Sequence, residues 1–255
     1  MAYTSVIYAR KNHLAHITLN RPEADNAINL ELAQEMEEIC LGINQDDDIY
    51  AVIIIGAGDR TFCRGSEQED KPGVSPLALE KMNVARFVAG IDRPVIAAIN
   101  GDALGEGLEL ALSCDIRLAS DRARFALPQV ASGVIPMNGG TQRLPRLIGR
   151  GKALELVFTA EMIGAEEALE IGLVSKVVPR EKLSEEAETL AGNMTGKGPI
   201  ALRYVKEAVN KGMDLSLEQG LRLEADLYLL LHTTADRTEG IRAFLEKRPP
   251  KFEGR

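Results

Sequence analysis

The amino-acid sequence predicts an α/β protein in which strands and helices alternate along the first part of the chain. Short apolar runs bounded by Gly, Asn or Asp occur at residues 51–56, 95–100 and 115–120, and such runs are typical of buried strands. The segments between them place apolar residues at helical spacing, as expected of an α/β core. After about Gly140 the patterns become mostly helical.

The N-terminal end carries two alternating segments, residues 6–10 and 13–20. They predict a β-hairpin with its turn at Lys11 and Asn12. The core helices are predicted at residues 29–42, at residues 77–90 after a start at Ser75-Pro76, and at residues 105–113.

The C-terminal part carries helical patterns at residues 150–159, 165–171, 181–195, 199–212, 215–233 and 236–247. The strongest local breaker is Gly196-Lys197-Gly198-Pro199. We therefore predict an α/β core over residues 1–195 and a helical C-terminal region over residues 196–255. The apolar residues of the latter need a covering surface, from the core or from another subunit.

Composition restricts the classes of function. The chain has 255 residues, of which 45% are apolar, and this suits one large domain or a core with a smaller appendage. The longest apolar runs are far too short to span a bilayer, and no signal-peptide pattern begins the sequence, so we expect a cytoplasmic protein. A net charge of −8 argues against broad binding to nucleic acid or membranes.

The cysteines and histidines predict no metal site. Three cysteines form no paired framework and match no zinc spacing, and Cys40 and Cys114 are best interpreted as small buried residues. His13 and His16 flank strand residues and are expected at the surface or rim. Glycine patterns typical of nucleotide binding are incomplete, because Thr61 stands where the third glycine of a dinucleotide fingerprint would follow Gly56 and Gly58.

The most informative stretch is Asn100-Gly101-Asp102-Ala103-Leu104-Gly105-Glu106-Gly107-Leu108-Glu109-Leu110, which follows a strand and opens a helix. The first N–H groups of a helix have no internal partner and can receive an anion. Glu109 lies one turn further on among apolar residues. Such surroundings raise a carboxyl pKa and suit proton transfer near neutral pH. The alternative for this stretch alone is a glycine-rich turn with a surface glutamate.

Other motifs occur in a characteristic order along the chain. They are Leu19-Asn20-Arg21-Pro22 with Asn26-Ala27, Thr61-Phe62-Cys63-Arg64-Gly65-Ser66-Glu67, Phe125-Ala126-Leu127-Pro128-Gln129, Gly139-Gly140-Thr141-Gln142-Arg143-Leu144, and residues 165–179 and 239–248. Together with the glycine-rich stretch they resemble the crotonase (enoyl-CoA hydratase/isomerase) superfamily, and the resemblance covers essentially the whole chain.

The resemblance implies a spiral of ββα units with a helical C-terminal oligomerisation region that packs into trimers or hexamers. It also implies an acyl-CoA thioester substrate and no separate cofactor, since coenzyme A enters as part of the substrate. Two backbone N–H groups, matched here by Ser66 and Glu106, would form the oxyanion hole for the thioester oxygen. Backbone donors of this kind contribute roughly 3–4 kcal/mol each to transition-state stabilisation.

The family's coenzyme A site maps to several segments of this chain. The matching positions are Ala24, Asn26, Ala27, Ser66, Glu67 and Gln68. Phe244 and Lys247 match positions that reach coenzyme A, in some cases across a subunit boundary. The alternative for these last two is a packed helix face.

The sequence departs from the hydratase pattern at two positions. Glu106 stands where the family commonly has glycine, and Gln129 stands where hydratases have a second glutamate beside Glu109. A glutamine can orient a water by hydrogen bonding but cannot exchange a proton at neutral pH. The resemblance therefore implies a catalytic pair of Glu109 and Gln129 with a single proton-transferring carboxylate.

Three functions remain open from the sequence. The first is an enoyl-CoA or dienoyl-CoA hydratase or dehydratase that uses Glu109. The second is a double-bond isomerase, for which one carboxylate suffices because one proton is removed and returned. The third is an acyl-CoA-binding protein with little turnover.

Overall fold

The structure is a computed structural model that describes residues 3–67 and 80–255. Within these ranges the strands are β1 (Val6–Lys11), β2 (Leu14–Leu19), β3 (Ala51–Gly56), β4 (Thr61–Cys63), β5 (Val95–Ile99), β6 (Asp102–Leu104), β7 (Ile116–Ser120), β8 (Arg124–Ala126), β9 (Ile163–Gly164) and β10 (Lys176–Val178). The helices are α1 (Leu30–Gln45), α2 (Val84–Ala89), α3 (Glu106–Ser113), α4 (Gly140–Ile148), α5 (Arg150–Thr159), α6 (Ala165–Glu170), α7 (Leu183–Thr195), α8 (Pro199–Gly212), α9 (Leu217–Leu231) and α10 (Ala235–Leu245).

A six-stranded sheet in the order β1-β2-β3-β5-β7-β10 forms the centre of the described fold. Its β1–β2 hairpin is antiparallel and the other pairings are parallel. Val52 and Ile54 of β3 face the larger core with α1, whereas Ala51 and Ile53 face a smaller cluster with α7. Helices on both faces explain why the interior strands are continuous apolar runs. The predicted hairpin and the three predicted buried strands are confirmed.

A second, four-stranded sheet in the order β4-β6-β8-β9 was not predicted from the sequence. Its strands have only two or three residues each, too few for an alternating pattern to be recognised. β4, β6 and β8 are parallel and β9 is antiparallel to β8. Each of β4, β6 and β8 leads directly into one of the sequence motifs described above, so this sheet brings those motifs together.

The predicted helices are found with modest changes at their ends. The single helix predicted over residues 77–90 is wrong for Met82 and Asn83, because the Asn83 side chain accepts from the Arg86 N–H and starts a separate helix, Val84–Ala89. The predicted start at Ser75-Pro76 lies outside the described residues. The segment predicted at 215–233 forms Leu217–Leu231, with Ser216 and Gln219 making a capping box. Helix α4 was not among the predicted segments, because its Pro145 and flanking glycines obscured the helical pattern.

The C-terminal helices extend from the core and connect back to it by polar contacts. Lys206 of α8 donates a hydrogen bond from Nζ to Asp115 Oδ2 at 2.7 Å, and the same oxygen accepts from Val95 N–H at 2.7 Å. The division into residues 1–195 and 196–255 stays a prediction. Large apolar side chains stay exposed on α8 and α9, among them Val205, Val209, Leu217, Leu221 and Leu229.

The prediction that Cys40 and Cys114 are buried is confirmed, and Cys63 is buried as well; all three are free thiols. Burial raises the pKa of each to about 12, so these thiols stay protonated. Within residues 3–67 and 80–255, no cluster of His, Cys, Asp and Glu could hold a metal ion. None of the described helices is long and apolar enough to cross a membrane.

Candidate active site

Glu109 is held inside the fold by helix α3, which begins directly after β6. Gly107, in the first turn of this helix, packs against β4 so closely that a Cβ there would lie 1.9 Å from the Cys63 carbonyl oxygen. Only glycine permits this approach. It seats α3 against the short sheet and turns Glu109, which is 0% exposed, into the interior.

The two oxygens of the Glu109 carboxylate have different surroundings. Oε1 accepts hydrogen bonds from the backbone N–H groups of Asn138 and Gly140, both at 2.7 Å. Oε2 makes only a long contact of 3.4 Å with Gln129 Nε2 among the described hydrogen bonds. One oxygen is therefore anchored and the other is available for proton exchange.

Burial raises the pKa of Glu109 to about 7. Loss of hydration is the main cause, and it outweighs the hydrogen bonds from Gly140 and Asn138, which lower the pKa. The negative charge of Glu106 raises the pKa further, and the positive charge of Arg143 opposes it. Glu109 therefore titrates in the range where a side chain can both accept and donate a proton near neutral pH.

Gln129 lies beside Glu109 in a short 3-10 turn, Pro128–Ser132, and is 3% exposed. Its Oε1 is buried and has no hydrogen-bond partner in the described part of the chain, and the same holds for Oδ1 of Asn138. A buried carbonyl oxygen without a partner is costly unless a water or a ligand donates to it. The Gln129 side chain can therefore hold a water or a substrate hydroxyl close to Glu109.

Ser66 and Glu106, the two predicted oxyanion-hole positions, are brought together. Ser66 pairs with Ile28 in an isolated β-bridge. The Ile28 N–H donates to the Gly65 carbonyl oxygen, and the Glu67 N–H donates to the Ile28 carbonyl oxygen. Glu106 is the first residue of α3. The backbone N–H of Ser66 donates to Glu106 Oε2 at 2.9 Å. In this structure a carboxylate of the chain itself therefore accepts the hydrogen bond from one of the two N–H groups predicted to bind the thioester oxygen.

The positions predicted to bind coenzyme A divide into three groups. Ala24, Asn26, Ala27 and Glu67 lie near one another around Arg21, which forms an ion pair with Glu67 at 2.8 Å and donates to the Ala27 carbonyl oxygen at 2.6 Å. Gln68 lies outside the described residues. Phe244 and Lys247 are exposed near the end of α10, and none of the described contacts joins them to the other group.

The side chain of Asn26 has a structural function. It is buried, its Oδ1 accepts from Arg21 N–H at 3.0 Å, and its Nδ2 donates to the carbonyl oxygens of Ala57 and Thr61 at 2.9 and 2.8 Å. A contact from Asn26 to a ligand would therefore come from its backbone rather than from its amide.

Sequence reasoning missed the residues that anchor Glu109. Asn138 and Gly140 act through backbone N–H groups, which leave no side-chain signature. The Gly139-Gly140 pair at the start of α4 was the available signal, because helix starts present unpaired donors. Arg143, one turn into α4, donates to the Asn138 carbonyl oxygen at 2.8 Å and was not predicted either.

The structure thus holds a buried glutamate on helix α3 that accepts hydrogen bonds from two backbone N–H groups at the glycine-containing turn that leads into α4. The enoyl-CoA hydratase/isomerase family model matches residues 9–255. The chain is 41% identical to crotonyl-CoA hydratase of Syntrophomonas wolfei, covering 99% of both proteins. It is 39% identical to short-chain-enoyl-CoA hydratase of Clostridium acetobutylicum, covering 100% of this chain and 98% of that one.

Solved structures agree with this assignment. An enoyl-CoA hydratase from Bacillus anthracis superimposes with a TM-score of 0.95 at 40% identity, covering 99% of this chain and 100% of that one. The chain belongs to the enoyl-CoA hydratase/isomerase family and is an enzyme of the hydratase/isomerase type. The predicted crotonase-like fold is confirmed.

Proposed function

We propose that this protein is an enoyl-CoA hydratase that uses Glu109 as its acid/base group. The observation that carries the proposal is the buried Glu109 carboxyl, whose pKa is raised to about 7 and whose Oε2 points toward Gln129. The similarity to crotonyl-CoA and short-chain-enoyl-CoA hydratases supports the reaction class.

The proposed reaction needs one carboxylate and one water. Ionised Glu109 takes a proton from the water through Oε2 while the water oxygen forms a bond to Cβ of the enoyl group. The electron pair of the double bond moves onto the thioester as an enolate, which the backbone N–H groups of Ser66 and Glu106 stabilise. The Glu109 carboxyl then returns the proton to Cα, and the carboxylate is regenerated.

Gln129 has a positioning function in this proposal. Its unpartnered Oε1 accepts a hydrogen bond from the attacking water, and its Nε2 stays near Glu109. Because an amide does not ionise, Gln129 orients the water without taking its proton. The catalytic pair is thus one proton-transferring group and one orienting group.

The substrate side of the proposal is an acyl-CoA thioester held near Ala24, Asn26, Ala27, Ser66, Glu67 and Gln68, with Phe244 and Lys247 contributing in the assembled protein. No separate cofactor is needed, because every step is a proton transfer or an addition to a polarised double bond. The exposed apolar residues of α8 and α9 support a homotrimer or hexamer. Three free cysteines support the cytoplasm as the compartment.

A double-bond isomerase is the second candidate, and the amide at Gln129 favours it. An isomerase removes a proton from one carbon and returns it to another, so a single carboxylate is enough. Turnover of crotonyl-CoA and of a 3-enoyl-CoA in D2O separates the candidates. A hydratase gives 3-hydroxyacyl-CoA with one deuterium at Cα, and an isomerase gives a shifted double bond without added water.

Both outcomes would keep Glu109 as the acid/base. Binding of both thioesters without any product would contradict the enzymatic proposal and favour the acyl-CoA-binding alternative. The corresponding free acids serve as controls and should bind far more weakly, since the nucleotide and pantetheine supply most of the affinity.

A further inference from the structure

The Glu106 side chain is hydrogen-bonded to one of the two N–H groups that are proposed to bind the thioester oxygen. Its Oε2 accepts a hydrogen bond from Ser66 N–H at 2.9 Å, across 40 residues of sequence. The contact depends on Gly65, whose φ of +104° and lack of a side chain let the two segments approach. A Cβ on Gly65 would lie 2.8 Å from Glu106 Oε2 and 3.3 Å from the Glu106 backbone nitrogen. The absence of a side chain at Gly65 therefore leaves room for the carboxylate beside the Ser66 N–H.

An ordinary helix-start function does not account for this contact. An acidic residue in the first turn stabilises a helix through the unpaired N–H groups of that same helix. Here the bond goes to Ser66, which lies outside helix α3 in the segment after β4. Both residues are buried, and a charge-assisted hydrogen bond between buried groups is stronger than one to a neutral acceptor.

We propose that the Glu106 carboxylate occupies the oxyanion hole of the free enzyme and that a thioester must displace it before the enolate can form. The inference rests on the proposed function, because it concerns the same hole. The Ser66 N–H has one hydrogen, and the carboxylate and the thioester oxygen compete for it. An ionised carboxylate left in place would also repel the enolate charge.

Glu106 thereby determines which ligands enter the hole. An acceptor oxygen that carries more negative charge competes better with a carboxylate than a neutral thioester oxygen does. The enzyme therefore binds saturated thioesters weakly and favours thioesters whose carbonyl oxygen becomes anionic. Relatives with glycine at this position would lack this discrimination.

The test compares two unreactive ligands that differ only at the carbonyl. Butyryl-CoA has the thioester oxygen, and S-butyl-CoA is the thioether without it. Affinities of both are measured by calorimetry on the wild-type protein, Glu106→Ala and Glu106→Gln. Glu106→Ala keeps the Cβ and the backbone N–H and removes the competing carboxylate. Glu106→Gln keeps the shape and an acceptor oxygen but removes the charge.

We expect Glu106→Ala to bind butyryl-CoA roughly tenfold more tightly than the wild type, with no change for S-butyl-CoA. Glu106→Gln should show a smaller gain for the thioester alone, and it carries the test if Glu106→Ala does not fold. Equal affinities of wild type and variants for butyryl-CoA would overturn the inference and leave the proposed function standing. An equal gain for both ligands would also overturn it, since relief of crowding does not depend on the carbonyl. Failure of all three proteins to bind either ligand would contradict the proposed function itself.

Discussion

Glu109 has one oxygen held by two backbone N–H groups and is proposed to exchange protons through the other, and the first expected outcome concerns this side chain. Glu109→Gln keeps its shape and an oxygen for the Asn138 and Gly140 N–H groups, but it cannot carry a proton. We expect turnover of crotonyl-CoA to fall roughly 10²–10⁴-fold, the usual contribution of general acid–base catalysis, while butyryl-CoA binding persists. Glu170→Gln, on the exposed end of α6, is the matched control and should keep full activity. Unchanged turnover in Glu109→Gln would show that the acid/base lies elsewhere.

The raised pKa of Glu109 also has a consequence for stability. The folded protein binds this proton up to about pH 7, whereas the unfolded chain releases it near the ordinary value of 4.5. The raised pKa therefore contributes at most about 3 kcal/mol to the free energy of unfolding. This contribution is complete below pH 4.5 and is lost as the pH rises through 7. We expect urea unfolding of Glu109→Gln to show a stability advantage over the wild type at pH 8.5 that shrinks at pH 5.5. A difference independent of pH would contradict the assignment.

The position of Gln129 gives a third expected outcome. Gln129→Glu places a second carboxylate beside Glu109 Oε2, now 3.4 Å from the amide nitrogen. We expect simple enoyl-CoA hydration to increase, because a second base can accept the water proton. Two close carboxylates also hold a shared proton more tightly, so the pH at half-maximal rate should move upward. A pH–rate profile of the variant beside the wild type measures both effects, and a drop in hydration with an unchanged profile would oppose the orienting function of Gln129.

At single residues, the sequence predicted side chains better than the backbone around them. Glu109 was recognisable as a carboxylate within an apolar run. Asn138 and Gly140, which donate hydrogen bonds to it, lie 29 and 31 positions away. Because both act through the main chain, no pattern of residue types predicts them. The contact between Glu106 and Ser66 likewise joins residues 40 positions apart and requires the fold.

Among the structural elements, the junction of α3 with β4 depends most on a single residue. Gly107→Ala would place a Cβ 1.9 Å from the Cys63 carbonyl oxygen, which must displace either the helix or the strand. We expect a loss of more than about 2 kcal/mol in the free energy of unfolding, together with loss of activity as Glu109 shifts. Denaturant unfolding and crotonyl-CoA turnover measure the two effects.

Gly151→Ala is the matched control for this substitution. Gly151 lies in helix α5, and a Cβ there would meet nothing within 4 Å. We expect it to be neutral or to stabilise by about 0.5–1 kcal/mol, because alanine loses less backbone entropy in a helix. Equal effects of the two substitutions would mean that the approach of α3 to β4 is not required.

The elements that the sequence predicted are those long enough to show a period. Strand β3 and helix α1 were predicted because six and sixteen residues display alternation or helical spacing. The short strands β4, β6 and β8 have three residues each and exist because distant segments pair. The part of the fold that assembles the site was therefore the part least visible in the sequence.

For the whole molecule, the exposed apolar surface of α8 and α9 favours association with further copies of the chain. Val205, Val209, Leu217, Leu221 and Leu229 are each more than half exposed, and grouped exposed apolar residues of this kind are typical of protein–protein contacts. We expect light scattering to give the mass of a trimer or hexamer, and Val209→Glu to shift the protein toward smaller species. A stable wild-type monomer at micromolar concentration would contradict the assembly and would remove the route by which Phe244 and Lys247 could reach a neighbouring site.

The two hydrogen bonds that hold Oε1 of Glu109 also have a consequence for the stereochemistry of the addition. Because two N–H groups hold Oε1 at 2.7 Å, the carboxylate cannot rotate to exchange its two oxygens between proton uptake and proton delivery. The same oxygen that receives the proton must release it, and it does so from one side of the flat conjugated system. In the proposed reaction, hydroxyl and hydrogen would then add to the same face of the double bond. Two main-chain amides would thus fix the relative geometry of the addition, and the orientation of the bound enoyl group would decide which face is attacked.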